Sequence, residues 1–256
     1  AAGADEVKNY LEKELKDKDI EILDVGCIGH CYAEPIVEVE TDSGSVFFEN
    51  VEPTEEYLDK ILEIDETSTM SFRDERTGRE KLKVTKLAGR IDPISLEEYI
   101  ENGGYESLNK AAKMDPKQIV EEVKLSGLRG RGGGGFPTGL KWSFLAGKEA
   151  EKKILICNAD EGDPGAFMDR SMMESVPHQV VEGMLIAALG TGATELFIYA
   201  RAEYPLAVKN LNIAIEQVYE NKINTINGKT IDITVKEGAG AFVCGEETAM
   251  IHSLEG

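Results

Sequence analysis

Apolar positions recur along this chain first at helical and then at alternating spacing, and the changes of spacing outline its elements. In residues 4–16, Val7, Tyr10, Leu11 and Leu15 fall on one helical face with charged side chains opposite. Three strand-like runs follow, IEILDVG (20–26), IVEVE (36–40) and SVFFENV (45–51), and TDSG joins the last two as a hairpin turn. A second helix is expected over 54–63, behind Pro53. This order makes a small α+β unit whose sheet lacks an opening strand to cover one apolar face, so residue 1 is expected to be an internal position.

Beyond residue 64 the pattern changes twice. Residues 65–90 are charged and turn-rich, which places a linker at 64–87 between a unit of residues 1–63 and one of residues 88–256. DPISLEEYIENGGYESLNKAAK then reads as two short helices broken at Gly103 and Gly104, and Asp115 with Pro116 opens a third whose stripe is Ile119, Val120 and Val123. From 153 the chain alternates: strand 153–159, helix 177–189, strand 195–201, helix 205–220, strand 231–237. Such alternation predicts an α/β fold, a parallel sheet wrapped by helices, with ligands at the carboxyl ends of the strands. No period of about 20–50 residues recurs, which excludes a repeat architecture.

Composition narrows the partners. A formal charge of −20 over 256 residues, with few clusters of Lys or Arg, argues against nucleic acid or an anionic membrane surface. GMLIAALG (183–190), the most apolar stretch, is far too short to span a bilayer, and the four cysteines do not form a disulfide framework. A cytoplasmic, reducing location is the expectation.

Candidate chemistry begins at SGLRGRGGGGFPTGLKW (126–142). Gly130, Gly132 and Gly135 satisfy the letters of GxGxxG, but that fingerprint follows a strand and this one follows a helix. A P-loop would end in GKS or GKT, and Thr138, Gly139, Leu140 and Lys141 stand here instead. A flexible linker would not embed Phe136, Pro137, Trp142 and Phe144. What remains is a loop stripped of side chains so that a large planar ligand and its phosphate approach backbone N–H groups, with Arg131 and Lys141 supplying charge.

Other segments repeat the theme at strand ends. NADEGDPGAFMDR (158–170) sets Asp160, Glu161 and Asp163 close together, as a solvated acidic turn, a magnesium site, or acceptors for a heterocycle or sugar alongside Asn158. GAGAFVCGEETAM (238–250) places Gly245, Glu246 and Glu247 at a helix start, where the dipole alone would favour glutamates. His30, His178 and His252 are scattered without a GxSxG partner and are assigned to helix caps or the surface. Cys27 and Cys31 flank a glycine turn, as thiolate ligands of a soft metal centre or as two incidental buried cysteines.

Taken in order, these three long motifs resemble the family of NADH-binding flavoprotein subunits of respiratory complex I and of soluble NAD-linked hydrogenases and formate dehydrogenases. The resemblance covers 88–256, while 1–63 resembles the thioredoxin-like ferredoxin domain often fused ahead of it. It implies that Gly130, Arg131, Gly132, Gly133, Lys141, Asn158, Asp160, Glu161, Gly245 and Glu246 line FMN. It further implies that Phe136 and Phe144 hold the adenine of NADH, with Asp163 and Glu247 on the same nucleotide, and that Glu247 disfavours a 2′-phosphate and so selects NAD over NADP. Cys27, Gly29, Cys31 and Pro35 reproduce the second cysteine pair of a two-iron two-sulfur site; its first pair is expected ahead of residue 1, and a four-iron four-sulfur domain beyond the end of the chain. EGDPG, Phe242 and the fused amino-terminal unit look more like the hydrogenase branch than the complex I branch.

The implied activity is oxidation of NADH by hydride transfer to FMN, then single-electron transfer to iron-sulfur clusters of partner subunits in a hetero-oligomer. No side chain acts as nucleophile in that scheme. Two rivals stand beside it: a non-catalytic fragment or assembly subunit that keeps the fold, and a Rossmann dehydrogenase, which would need an acidic residue about 20 positions after a strand-borne fingerprint.

Overall fold

A computed structural model describes residues 3–42, 44–65, 68, 82–239 and 242–256. The first elements are α1 (Ala4–Leu15), the antiparallel pair β1 (Val37–Thr41) and β2 (Gly44–Phe48), and α2 (Glu55–Leu62). Val37 faces Phe48 and Thr41 faces Gly44, so the expected hairpin is present. Val7, Leu11, Leu15, Val51 and Ile61 bury a small apolar cluster against Tyr10, Ile22, Val37, Val39 and Phe48.

The expected strand over 20–26 does not form. Alternating apolar residues make a strand only where a neighbour accepts the ladder, and no ladder partner reaches it among the described residues. Ile20, Leu23 and Val25 are exposed, and the segment runs on into the cysteine loop. Most of the expected linker 64–87 lies outside the described residues.

Next come α3 (Leu96–Glu101), α4 (Glu106–Ala111) and α5 (Pro116–Leu125). Ser95 caps α3 by accepting from the Glu98 amide, and Asp115 with Gln118 forms a reciprocal capping box at α5. The break between α3 and α4 falls at Gly103 and Gly104 because a Cβ on Gly104 would overlap the Tyr99 ring. Two helices not anticipated from the pattern follow, α6 (Thr138–Ala146) and α7 (Met168–Ser175).

The main sheet is parallel, in the order β3 (Ile154–Ala159), β4 (Glu195–Arg201), β7 (Asp232–Gly238), with β4 central. Register pairs Ala159 with Ala200 and Arg201 with Gly238, so the three carboxyl ends lie side by side. Between β3 and β4 run α7 and α8 (Pro177–Thr191); between β4 and β7 run α9 (Pro205–Glu220) and a short hairpin, β5 (Thr225–Ile226) with β6 (Lys229–Thr230). Asn227 and Gly228, both at positive φ, make its turn. Apolar on nearly every side, α8 is buried between the sheet and α4–α7 and α9.

That helix also carries two polar groups into the core. Glu182 accepts from the Tyr99 hydroxyl at 2.6 Å and from the Tyr105 and Leu108 amides at 3.0 Å, so a buried carboxylate has charge-assisted bonds in place of water. His178, assigned to a cap or the surface, is instead fully buried. Its Nε2 donates to Gln217 and its Nδ1 accepts from the Tyr105 hydroxyl, both at 2.8 Å, while burial lowers its pKa and keeps the ring neutral. It follows Pro177 in the buried first turn of α8, which an isolated histidine in the sequence does not reveal.

Candidate functional site

The glycine loop leaves α5 and returns into α6 through a narrow neck. Gly130 N donates to Phe136 O and Thr138 N to Leu128 O, both at 2.9 Å, and Arg129 Nε donates to Gly135 O at 2.6 Å. Gly133 and Gly135 adopt positive φ, a backbone reason for glycine. Gly132 and Gly134 do not, and a Cβ on either would meet no atom of the described residues within 4 Å. Their missing side chains therefore serve neither the turn nor the packing, which fits a loop lying against a ligand. Gly139 differs: its Cβ would come within 2.7 Å of Lys124 Cα, so it is required where α6 crosses α5.

Phe136 and Phe144 are both about half exposed, and their rings pair at 6.3 Å between centroids with a 50° tilt. An aromatic guest held between two faces needs them roughly 7 Å apart and parallel, so the pair as it stands offers a surface to stack on. Arg131 is exposed on the loop itself.

At the end of β3 the acidic residues divide their work. Asn158 Nδ2 donates to Gly245 O at 2.8 Å and its Oδ1 accepts from Asp160 N at 3.1 Å, tying β3 to the 245 turn. Glu161 accepts from three consecutive amides, Met168, Asp169 and Arg170, at 2.8, 2.9 and 3.1 Å, and so anchors the start of α7. Its carboxylate is thus engaged with backbone. Beside it, burial first and Glu161 second push the Asp169 carboxyl up to about 6. Asp163 is exposed, its carbonyl accepting from Ala166 N in the following turn.

Asp160 points inward. Its side chain is 2% exposed, Oδ1 lies 3.5 Å from Arg201 Nη1, and Oδ2 is buried with no hydrogen-bond partner among the described residues. Burial raises its carboxyl, Arg201 opposes the rise and Glu203 adds to it. A buried carboxylate oxygen without a partner is costly and awaits a donor.

The 245 turn completes the site. A 3-10 turn (Phe242–Gly245) precedes α10 (Glu247–Glu255); Gly240 and Ala241 lie outside the described residues. A Cβ on Gly245 would press on Asp160 O at 3.3 Å. Glu246 is the N-cap of α10, accepting from Ala249 N at 3.0 Å, and those helix amides lower its pKa. Glu247 meets Lys141 of α6 at 3.3 Å. Fold and bonds thus bring together all three motifs, remote in sequence, at the carboxyl edge of β3, β4 and β7.

Cys27 and Cys31 sit on a loop of the amino-terminal segment that meets α7 and the end of the second motif. Their sulfurs are 3.9 Å apart, Cys27 Sγ donates to Glu34 Oε1 at 3.1 Å, and the three ligand atoms lie within 4.8 Å of one another. Burial, reinforced by Glu34, pushes the Cys27 thiol up to about 12. Two thiols supply half the ligands of a two-iron two-sulfur cluster. Ser175 Oγ of α7 donates to Cys27 O at 3.1 Å, and the loop borders a cavity of about 370 Å³ with Ala88, Phe167 and Met168.

Arg201, Tyr204 and Glu34 were not singled out from the sequence. Arg201 and Tyr204 follow an apolar strand in ELFIYARAEY and read as an ordinary strand end; only the register beside Ala159 shows that they overhang the acidic turn.

A parallel sheet whose strand ends gather a bare glycine loop, an inward carboxylate and a glycine-glutamate helix start places the protein in the α/β class, with its candidate ligand site at the carboxyl ends of the strands. The chain belongs to the Nuo51 FMN-binding domain family, whose model matches residues 123–256. It is 51% identical over 185 residues to the NADP-reducing hydrogenase subunit HndC of Solidesulfovibrio fructosivorans, covering 70% of this chain and 38% of that protein. It is 47% identical over 166 residues to the F subunit of NADH-quinone oxidoreductase from Aquifex aeolicus (63% and 39% covered) and 46% identical over 177 to its counterpart from Escherichia coli (67% and 40%). A crystal structure of NAD+-reducing [NiFe]-hydrogenase in its H2-reduced state aligns with TM-score 0.55 and 30% identity, over 82% of this chain and 36% of that one. The chain therefore spans about two fifths of the length of the curated relatives it matches. No described helix is long and apolar enough to cross a membrane.

Proposed function

We propose that this chain holds FMN and the nicotinamide dinucleotide in a multisubunit, NAD-linked oxidoreductase of the hydrogenase type. The observation that carries the reading is the convergence of the three motifs, tied by Asn158 to Gly245 at 2.8 Å and Lys141 to Glu247 at 3.3 Å. Bound there, FMN would accept a hydride from NADH and release electrons singly to iron-sulfur centres of partner subunits. Residues 88–256 would form the nucleotide unit, joined through 64–87 to a ferredoxin-like unit (1–63) in which Cys27 and Cys31 supply half of a two-iron two-sulfur ligand set.

The chain's own residues bind and orient. Gly130, Arg131, Gly132, Gly133 and Lys141 lie where backbone amides and positive charge suit a phosphate. Asn158, Asp160, Gly245 and Glu246 form the polar edge, and Glu161 fixes that edge through α7 rather than by offering a free carboxylate. Phe136 and Phe144 give the adenine an aromatic surface, with Asp163 and Glu247 as acceptors. Lys141 has two claimants: a phosphate that draws it from Glu247 leaves that carboxylate to receive ribose hydroxyls.

Reconstitution of the full chain with FMN tests the reading. A flavin spectrum retained through gel filtration is expected, and complete loss of flavin overturns it in favour of a non-catalytic assembly role. Glu247 beside a 2′-phosphate is repulsive, which supports NADH over NADPH although the Solidesulfovibrio relative carries NADP in its name. Glu247→Gln should narrow the NADH to NADPH preference about tenfold; an unchanged ratio removes Glu247 from the specificity role. The two NADH-quinone oxidoreductase relatives support a second reading, with a quinone as the final acceptor.

A further inference from the structure

We propose that Arg201 is the positioning residue of this site, holding Asp160 as an ionised acceptor toward the flavin. The inference rests on the FMN reading above. Arg201 ends the central strand, its register partner on one side is Gly238, and the neighbouring pair is Ala159 with Ala200. Its guanidinium therefore overhangs the turn that starts at Asp160.

The guanidinium divides its two arms unequally. Nη1 lies 3.5 Å from Asp160 Oδ1 and Nη2 lies 3.0 Å from Glu203 Oε1. Glu203 is half exposed, whereas the Asp160 side chain is 2% and that of Arg201 13% exposed, so Asp160 is the carboxylate that water cannot stabilise. Left alone, such a carboxyl takes up a proton and becomes a donor; beside a cation it stays an acceptor. Oδ2, the oxygen without a partner among the described residues, is then fixed as an acceptor for an N–H of the flavin ring or a hydroxyl of its ribityl chain.

A second contact holds the same turn. Tyr204 donates from its hydroxyl to Glu161 O at 2.7 Å, and its ring lies against the guanidinium groups of Arg201 (6.0 Å) and Arg170 (5.5 Å). The side chain of Asp160 and the carbonyl of Glu161 are thus both set from the β4 end. Among the described residues, the titratable groups around Asp160 are Arg201 at the end of β4, Glu203 beyond it and Tyr199 within it, with Cys244 next to Tyr199; from β3 and the 245 turn it meets neutral Asn158 and Gly245.

The experiment is FMN binding by the full chain, followed through quenching of flavin fluorescence between pH 6 and 8. Wild type should be flat across that range. Arg201→Gln should bind about tenfold more weakly at pH 6 than at pH 8, as Asp160 takes up a proton, and Arg201→Lys should restore most of the affinity. In an Asp160→Asn background, adding Arg201→Gln should introduce no pH dependence. A folded Arg201→Gln protein as pH-flat as wild type overturns the inference, and so does wild-type FMN affinity in Asp160→Asn, which tests it even where Arg201→Gln fails to fold. A wild-type chain that takes up no FMN at all sinks the flavin reading itself, before any variant is compared.

Discussion

Between Gly130 and Gly135 the chain is pinned at its neck by the Gly130–Phe136 and Leu128–Thr138 bonds, and the backbone beyond is bare. On the opposite side, Asn158, Asp160 and Glu161 each have a defined protein partner: a carbonyl, a guanidinium and three amides. One side of the site is shaped by removing atoms and the other by fixing them. The difference separates two uses of sequence. Glycine admits a guest through what it lacks, whereas a carboxylate serves a guest only after the fold has decided which of its oxygens remains available.

The largest effect that would break this contrast is on the acidic side. Glu161→Ala should cost about 2 kcal/mol in urea denaturation, because three amides of α7 lose one acceptor; an unchanged midpoint would mean that the α7 cap does not support the fold. The next comparison uses two glycines of one motif. Gly139→Ala should destabilise by about 1–3 kcal/mol by forcing α6 from α5, while Gly132→Ala should leave stability within about 0.5 kcal/mol and weaken FMN binding about tenfold. If both glycines behave alike, the bare loop is not there for a ligand.

The smallest effect concerns pH. Burial and Glu161 push the Asp169 carboxyl from its ordinary value up to about 6, so the folded state holds the proton more tightly. The stability it contributes is fully present below about 4 and is lost as pH rises to 6. Asp169→Asn should flatten that window in thermal melts, whereas Gly132→Ala should leave the wild-type slope in place. A wild-type melt that is flat between pH 4 and 6 contradicts the burial of Asp169.

Much of the framework was legible because it is written in local periodicity. The alternation from 153 onward gave the parallel strands nearly to the residue, since β4 is a buried apolar run and the partly exposed edge strands β3 and β7 carry apolar positions of their own between the helices. Asp115 and Pro116 announced α5 through capping chemistry that needs no distant partner. The run at 20–26 failed because a strand needs a neighbour, which period alone cannot supply. His178 failed for a related reason: its burial depends on Tyr105 and Gln217, 73 and 39 residues away.

The sequence by itself determined the three motifs, their order and the residue types at the site, because glycine, aromatic and carboxylate chemistry is local and survives in the letters. Only the tertiary structure decided their roles. It made Gly139 a packing residue and left Gly132 open, engaged Glu161 with helix amides, paired Lys141 with Glu247, and set Arg201 over Asp160. The reason is physical: a side chain's role depends on which neighbours remove it from water and which atoms they leave unpaired, and those neighbours are brought by the register of the parallel sheet.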